Sequence, residues 1–113
     1  MNLEQKKLTK KEILSFIKEK RAVSFVELQQ EFEGTTGDIA IVTKKNIVLW
    51  EGLSTKLAKT IRELIDEKKI KYNSSCMTLI SYLSDGAILK YPLAKQNREY
   101  KKPHWLPVVM DPA

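Results

Sequence analysis

Cysteine occurs once in the 113 residues, at Cys76, and histidine once, at His104. A lone thiol closes no internal disulfide, and one thiol with one imidazole cannot assemble the Cys/His sets that hold structural zinc. No Gly-x-Ser-x-Gly run is present to build a serine nucleophile. Gly52-Leu-Ser-Thr-Lys56 has the residue types of a phosphate loop but lacks the Gly-Lys-Ser/Thr order that sets a lysine beside the phosphates. The sequence therefore points to no catalytic residues, no cofactor and no metal. Four glycines and four prolines are too few for a collagen-like or low-complexity chain. Apolar runs stay far below the ~18 residues a membrane span needs, and Met1-Asn-Leu-Glu-Gln-Lys-Lys7 lacks the apolar stretch of a secretory signal. No membrane association and a cytoplasmic location are the expectation.

What the chain does contain is 42% hydrophobic and 30% charged residues, a globular balance. Its length suits one domain over 1–113, with 92–113 as a C-terminal extension. Twenty Lys and Arg against fourteen Asp and Glu leave a formal charge of +6, with a pI near 9.4. Such a field attracts polyanions, and nucleic acid is the first partner to consider.

Thr9 and Glu12 stand at capping-box spacing, with Leu8 and Ile13 placed as a hydrophobic staple. They predict a helix through about Lys20 whose apolar face holds Ile13, Leu14, Phe16 and Ile17. Ser24, Glu27, Val23 and Leu28 repeat the device for a short helix ending at Gly34, with Leu28 and Phe32 buried. Two β-rich apolar runs, 39–42 and 47–50, flank Thr43-Lys-Lys-Asn46 and predict a hairpin. A third helix is expected over 54–68, where Leu57, Ala58, Ile61, Leu64 and Ile65 keep helical spacing. Segments 70–73, 77–83 and 87–91 read as an antiparallel meander, its last turn marked by Asp85-Gly86. The expected class is thus α+β: three helices, an inserted hairpin and a C-terminal meander.

Helix, strand-like Ala22-Val23, helix, then a longer helix leading into strands is an element order that resembles winged-helix domains. The resemblance spans 9–83 and rests on element order and capping rather than on a residue signature. It implies a small regulator of bacterial, archaeal, phage or plasmid type, whose third helix enters the DNA major groove. One departure is plain: helix-turn-helix motifs join their helices by roughly 3–4 residues, whereas 34–53 intervenes here.

Charge order along the third helix points the same way. Lys56, Lys59 and Arg62 occupy its first part and Glu63, Asp66 and Glu67 its later part, against the preference of the helix dipole. An external anion at the N-terminal end would explain that order, making Ser54, Thr55, Lys56, Lys59, Thr60 and Arg62 the candidate contacts to duplex DNA. Local ion pairs such as Lys59 with Glu63 are the bland explanation. A second basic stretch, 90–104, interleaves Tyr91 and Tyr100, which could stack on bases or pack over the sheet. Trp50 is expected in the core, His104 at the surface or in packing, and Cys76 in a turn without reactivity. The apolar end, with Trp105, Leu106, Val108 and Val109, is expected to seal the core. A homodimer and a protein partner stay open beside DNA, the latter as a winged-helix-like interaction module without DNA binding.

Overall fold

A computed structural model describes residues 5–74, 76–94 and 98–113. Part of the basic stretch, 95–97, therefore lies outside the described residues, as does the start of the chain.

Helix α1 covers Lys10–Lys20, and Thr9 Oγ1 accepts the Glu12 N–H at 3.2 Å. Helix α2 covers Phe25–Glu31, and here the full reciprocal box forms between Ser24 and Glu27, both bonds at 3.1 Å. Each cap satisfies amides that a helix start leaves without partners and is worth about 1 kcal/mol. Strands β1 (Thr36–Val42) and β2 (Ile47–Leu53) form the expected hairpin, longer than its apolar runs and interrupted by register shifts. Asn46 closes the turn at φ 63°, a left-handed conformation that asparagine tolerates. Helix α3 covers Thr55–Asp66 and buries Leu57, Ile61 and Leu64, the stripe that its spacing foretold.

Beyond α3 the structure departs from expectation. Strand β3 (Ile70–Asn73) is followed by a fourth helix, α4 (Cys76–Ser84), where the meander was to have its middle strand. Cys76 accordingly opens a helix instead of lying in a turn. Short apolar runs fit either period, so the sequence pattern over 77–83 could not discriminate. Asp85-Gly86 is a helix stop and not a hairpin turn. Gly86 at φ 70° donates to the Leu83 carbonyl and Ala87 to the Tyr82 carbonyl, both at 3.0 Å, which is a Schellman cap. Residues 87–91 form no strand.

The C-terminal segment supplies the missing strands. Strand β4 (His104–Trp105) runs parallel to β2, giving a three-stranded sheet in the order β1-β2-β4. Strand β5 (Val109–Pro112) pairs antiparallel with β3, and Val23 exchanges backbone hydrogen bonds with Met110 at 3.0 and 2.8 Å. Trp105, Val108 and Met110 are buried, while Leu106 and Val109 are half-buried, so this end of the chain is part of the core as expected. Trp50, also buried, packs with Tyr82 and Trp105 at ring distances of 5.0–6.0 Å, tying β2, α4 and β4 together. The molecule is thus mixed α+β, with four helices among the described residues. No helix among the described residues is long and apolar enough to cross a membrane.

Candidate nucleic-acid interface

The six residues singled out on α3 divide into three kinds. Ser54 is the N-cap: its Oγ accepts the Leu57 N–H at 3.2 Å, so the hydroxyl is already engaged. Thr60 is buried, and its hydroxyl donates to the Lys56 carbonyl at 2.8 Å, which removes it from any outward contact. Thr55, Lys56, Lys59 and Arg62 are exposed. At 100° per residue, Thr55, Lys59 and Arg62 fall on one stripe with Lys56 at its side.

The reversed charge order of α3 finds a partner inside the molecule. Glu63 and Glu67 both face Lys10 at the start of α1, Glu63 at 4.0 Å and Glu67 in direct hydrogen bond. That hydrogen bond holds the Glu67 carboxyl below the usual range and raises Lys10. The acids of the second half of α3 thus clamp α1, a role no local reading supplies. Lys59 does not pair with Glu63; the i,i+4 pair on this helix is Arg62 with Asp66 at 3.9 Å, both well exposed. Lys56 and Lys59 make no ion pair among the described residues.

Two depressions flank this surface. One, about 640 Å³, runs between β1 and α3, with Lys59 and Arg62 among its lining. Its inner wall includes Tyr72, whose phenol is pushed up to about 12 by burial and by the nearby Asp66 carboxylate. The other, about 500 Å³, sits at the tip of the hairpin, and Thr43 lines both.

At that tip, folding assembles a cluster that the sequence reading missed. Tyr100 donates its N–H to the Lys45 carbonyl at 3.0 Å, and His104 donates to the Asn46 carbonyl at 3.1 Å. These bonds seat the segment that carries Arg98, Lys101 and Lys102 against the turn that carries Lys44 and Lys45. Glu99 is the acid among them. Tyr100 stacks on His104 at 3.9 Å with Arg98 over its ring at 4.9 Å, while Tyr91 is anchored elsewhere by donating to Glu51 Oε1 at 2.9 Å. Lys44-Lys45 read locally as a polar turn. Only the parallel pairing of β4 with β2 reveals what it meets.

Among the described residues no group of His, Cys, Asp and Glu is placed to hold a metal. No family model matches the chain, and no curated protein and no solved structure shows significant similarity to it.

Proposed function

We propose that the protein binds duplex DNA through an electropositive surface made of the exposed α3 cations and the basic hairpin tip, and acts as a small regulator by occupying its site. The observation that carries this reading is the tip: Lys44 and Lys101 line one depression with Glu99, and the Tyr100 N–H bond to the Lys45 carbonyl seats the chain segment bearing Arg98 and Lys102 against the same turn. Like charges brought together oppose folding, and a phosphate backbone relieves that repulsion by releasing counterions. Lys56, Lys59 and Arg62 extend the surface along α3, with Thr43 linking the two depressions. The winged-helix resemblance supports the same reading through α1, α2 and α3, although here the hairpin precedes α3 and β3 finds its partner in the C-terminal segment.

The test is a salt series of binding to a labelled random duplex. Log affinity falls linearly with log salt at a slope of roughly −0.9 per phosphate neutralised. Lys44→Ala and Lys101→Ala each lower that slope by about 1, as do Lys56→Ala and Lys59→Ala, without shifting the unfolding temperature. Absence of binding at low salt removes DNA as the partner. A second reading, a protein-interaction module, is favoured by the apolar lining of the β1–α3 depression.

A further inference from the structure

We infer that the hairpin tip takes an unpaired nucleotide of the bound DNA, its base against the stack of Arg98, Tyr100 and His104 and its phosphate on Lys44 and Lys101. The inference rests on the DNA reading of this surface and names the form of DNA that the tip accepts.

Ring geometry separates this cluster from the rest of the molecule. Tyr100 and His104 lie 3.9 Å apart and 21° from parallel, whereas the other ring pairs among the described residues are inclined by 33–84°. Inclined and edge-on pairs are common in packed interiors, and each of those pairs includes a buried ring. The flat pair stands at the surface: Tyr100 and His104 are half-buried, and Arg98, whose guanidinium carbon is 4.9 Å from the Tyr100 ring centre, is exposed. A base stacks on flat partners, and aromatic rings and the guanidinium plane both serve.

The stack is fixed by the fold itself. The Tyr100 and His104 amides donate to the Lys45 and Asn46 carbonyls at 3.0 and 3.1 Å, Asn46 Nδ2 donates to the Tyr100 carbonyl at 3.5 Å, and His104 Nδ1 donates to the Lys102 carbonyl at 2.8 Å. Groups already ordered in the free protein lose little further freedom on binding.

Beside the stack lies the depression of about 500 Å³, within the roughly 300–1,000 Å³ of ligand sites. Charge alone does not choose its occupant, because Glu99 shares the lining with Lys44 and Lys101. A nucleotide answers both signs: its phosphate meets the lysines, and the amino hydrogens of its base meet the Glu99 carboxylate. In a duplex the pairing hydrogens are engaged and neighbouring bases cover both faces, so an unpaired base alone offers an edge and a face together.

The experiment is an anisotropy titration of three labelled DNAs with the full chain: an intact duplex, the same duplex with a single-stranded gap of three adenines, and that gapped duplex with abasic sites in place of the adenines. The gapped duplex is expected to bind about tenfold tighter than either of the others, within what stacking of one base contributes. The abasic gap keeps the phosphates and the freedom to bend, so its comparison isolates the base. Tyr100→Leu removes the preference and Tyr100→Phe keeps it; Arg98→Lys, which keeps the charge and loses the plane, reduces it. Equal binding of the adenine and abasic gaps overturns the inference, as does a preference that survives Tyr100→Leu, and either result leaves duplex binding standing. An intact duplex that fails to bind, with the tenfold preference kept between the two gapped DNAs, removes the duplex reading and retains the inference; absence of binding by all three removes both. Should a variant not fold, the two gapped DNAs with the unsubstituted protein still decide.

Discussion

Arg21 sits at φ 59°, ψ 160°, a conformation that side chains other than glycine rarely adopt, and Ala22 follows at φ 47°. The turn is held from outside, since Asp111 Oδ1 accepts the Ala22 N–H at 2.8 Å while Asn73 Nδ2 donates to Asp111 Oδ2 at 2.6 Å. Backbone strain of this kind costs about 1–3 kcal/mol. Arg21→Gly should therefore stabilise the protein by about 1 kcal/mol net of glycine's larger unfolded-state entropy, read as a rise in urea midpoint. Tyr82 is the other residue on which several elements depend. Its hydroxyl accepts the Phe25 N–H at 3.2 Å and donates to the Val108 carbonyl at 2.7 Å. Tyr82→Phe leaves both groups buried without that partner, and a loss of about 1–3 kcal/mol is expected. Burial raises Tyr82 above the usual tyrosine range and Tyr72 from 10.0 to about 12. The neutral phenols are favoured in the folded state, so this contribution is complete below pH 10 and is lost as pH climbs toward about 12. Denaturation midpoints measured from pH 9 upward should fall across that window, and less steeply in Tyr82→Phe.

At the scale of elements, the approach of β1 to α3 depends on Gly37. A Cβ there would stand 2.7 Å from the Leu53 carbonyl oxygen and 2.8 Å from the Ser54 Cα, both backbone atoms that cannot step aside. The Ser54 N–H donates to the Thr35 carbonyl at 2.8 Å, which pins the start of the strand at the same junction. Gly37→Ala should cost about 1–3 kcal/mol by overpacking and speed hydrogen exchange in β1 more than in α1. Uniform loss across both elements would mean that β1 does not open by itself. The element that sequence pattern misplaced, α4, teaches a general point. Its apolar residues 77–83 satisfy either period, and Gly86 serves a hairpin turn or a helix stop equally well. In the fold β5, not the 77–83 segment, pairs with β3, and the helix carries the Tyr82 hydroxyl to both the Phe25 amide and the Val108 carbonyl.

For the molecule as a whole, the C-terminal segment closes the structure. Trp105 bonds to β2 through β4, Met110 joins Val23, and β5 completes the sheet with β3. Deleting residues after Tyr100 removes Trp105, Val108 and Met110 from the core, and burial of each such side chain is worth about 1.5–3 kcal/mol. The truncated chain should melt far below the full chain or fail to fold. Equal melting temperatures by calorimetry would show that this segment is an appendage.

Local devices were legible in the sequence itself. Thr9 and Ser24 cap helices where their side-chain oxygens reach amides three residues on, and Leu57, Ile61 and Leu64 turn inward, because capping and amphipathic spacing act within a few residues; Ser54, taken from the sequence as a DNA contact, proves to be a third such cap. The exposed cations Lys56, Lys59 and Arg62 were legible for the same reason, whereas the burial of Thr60 was visible only against its packed neighbours. Tertiary structure alone decided the pairing of β4 with β2 and of β5 with β3, the helical state of 77–83, and the clamp of Glu63 and Glu67 on Lys10. It alone brought Lys101 beside Lys44 and the segment around Tyr100 against the hairpin turn. Those outcomes join segments far apart in the chain, and strand pairing and charge contact between them are set by which surfaces the core leaves facing one another, a quantity no local pattern encodes.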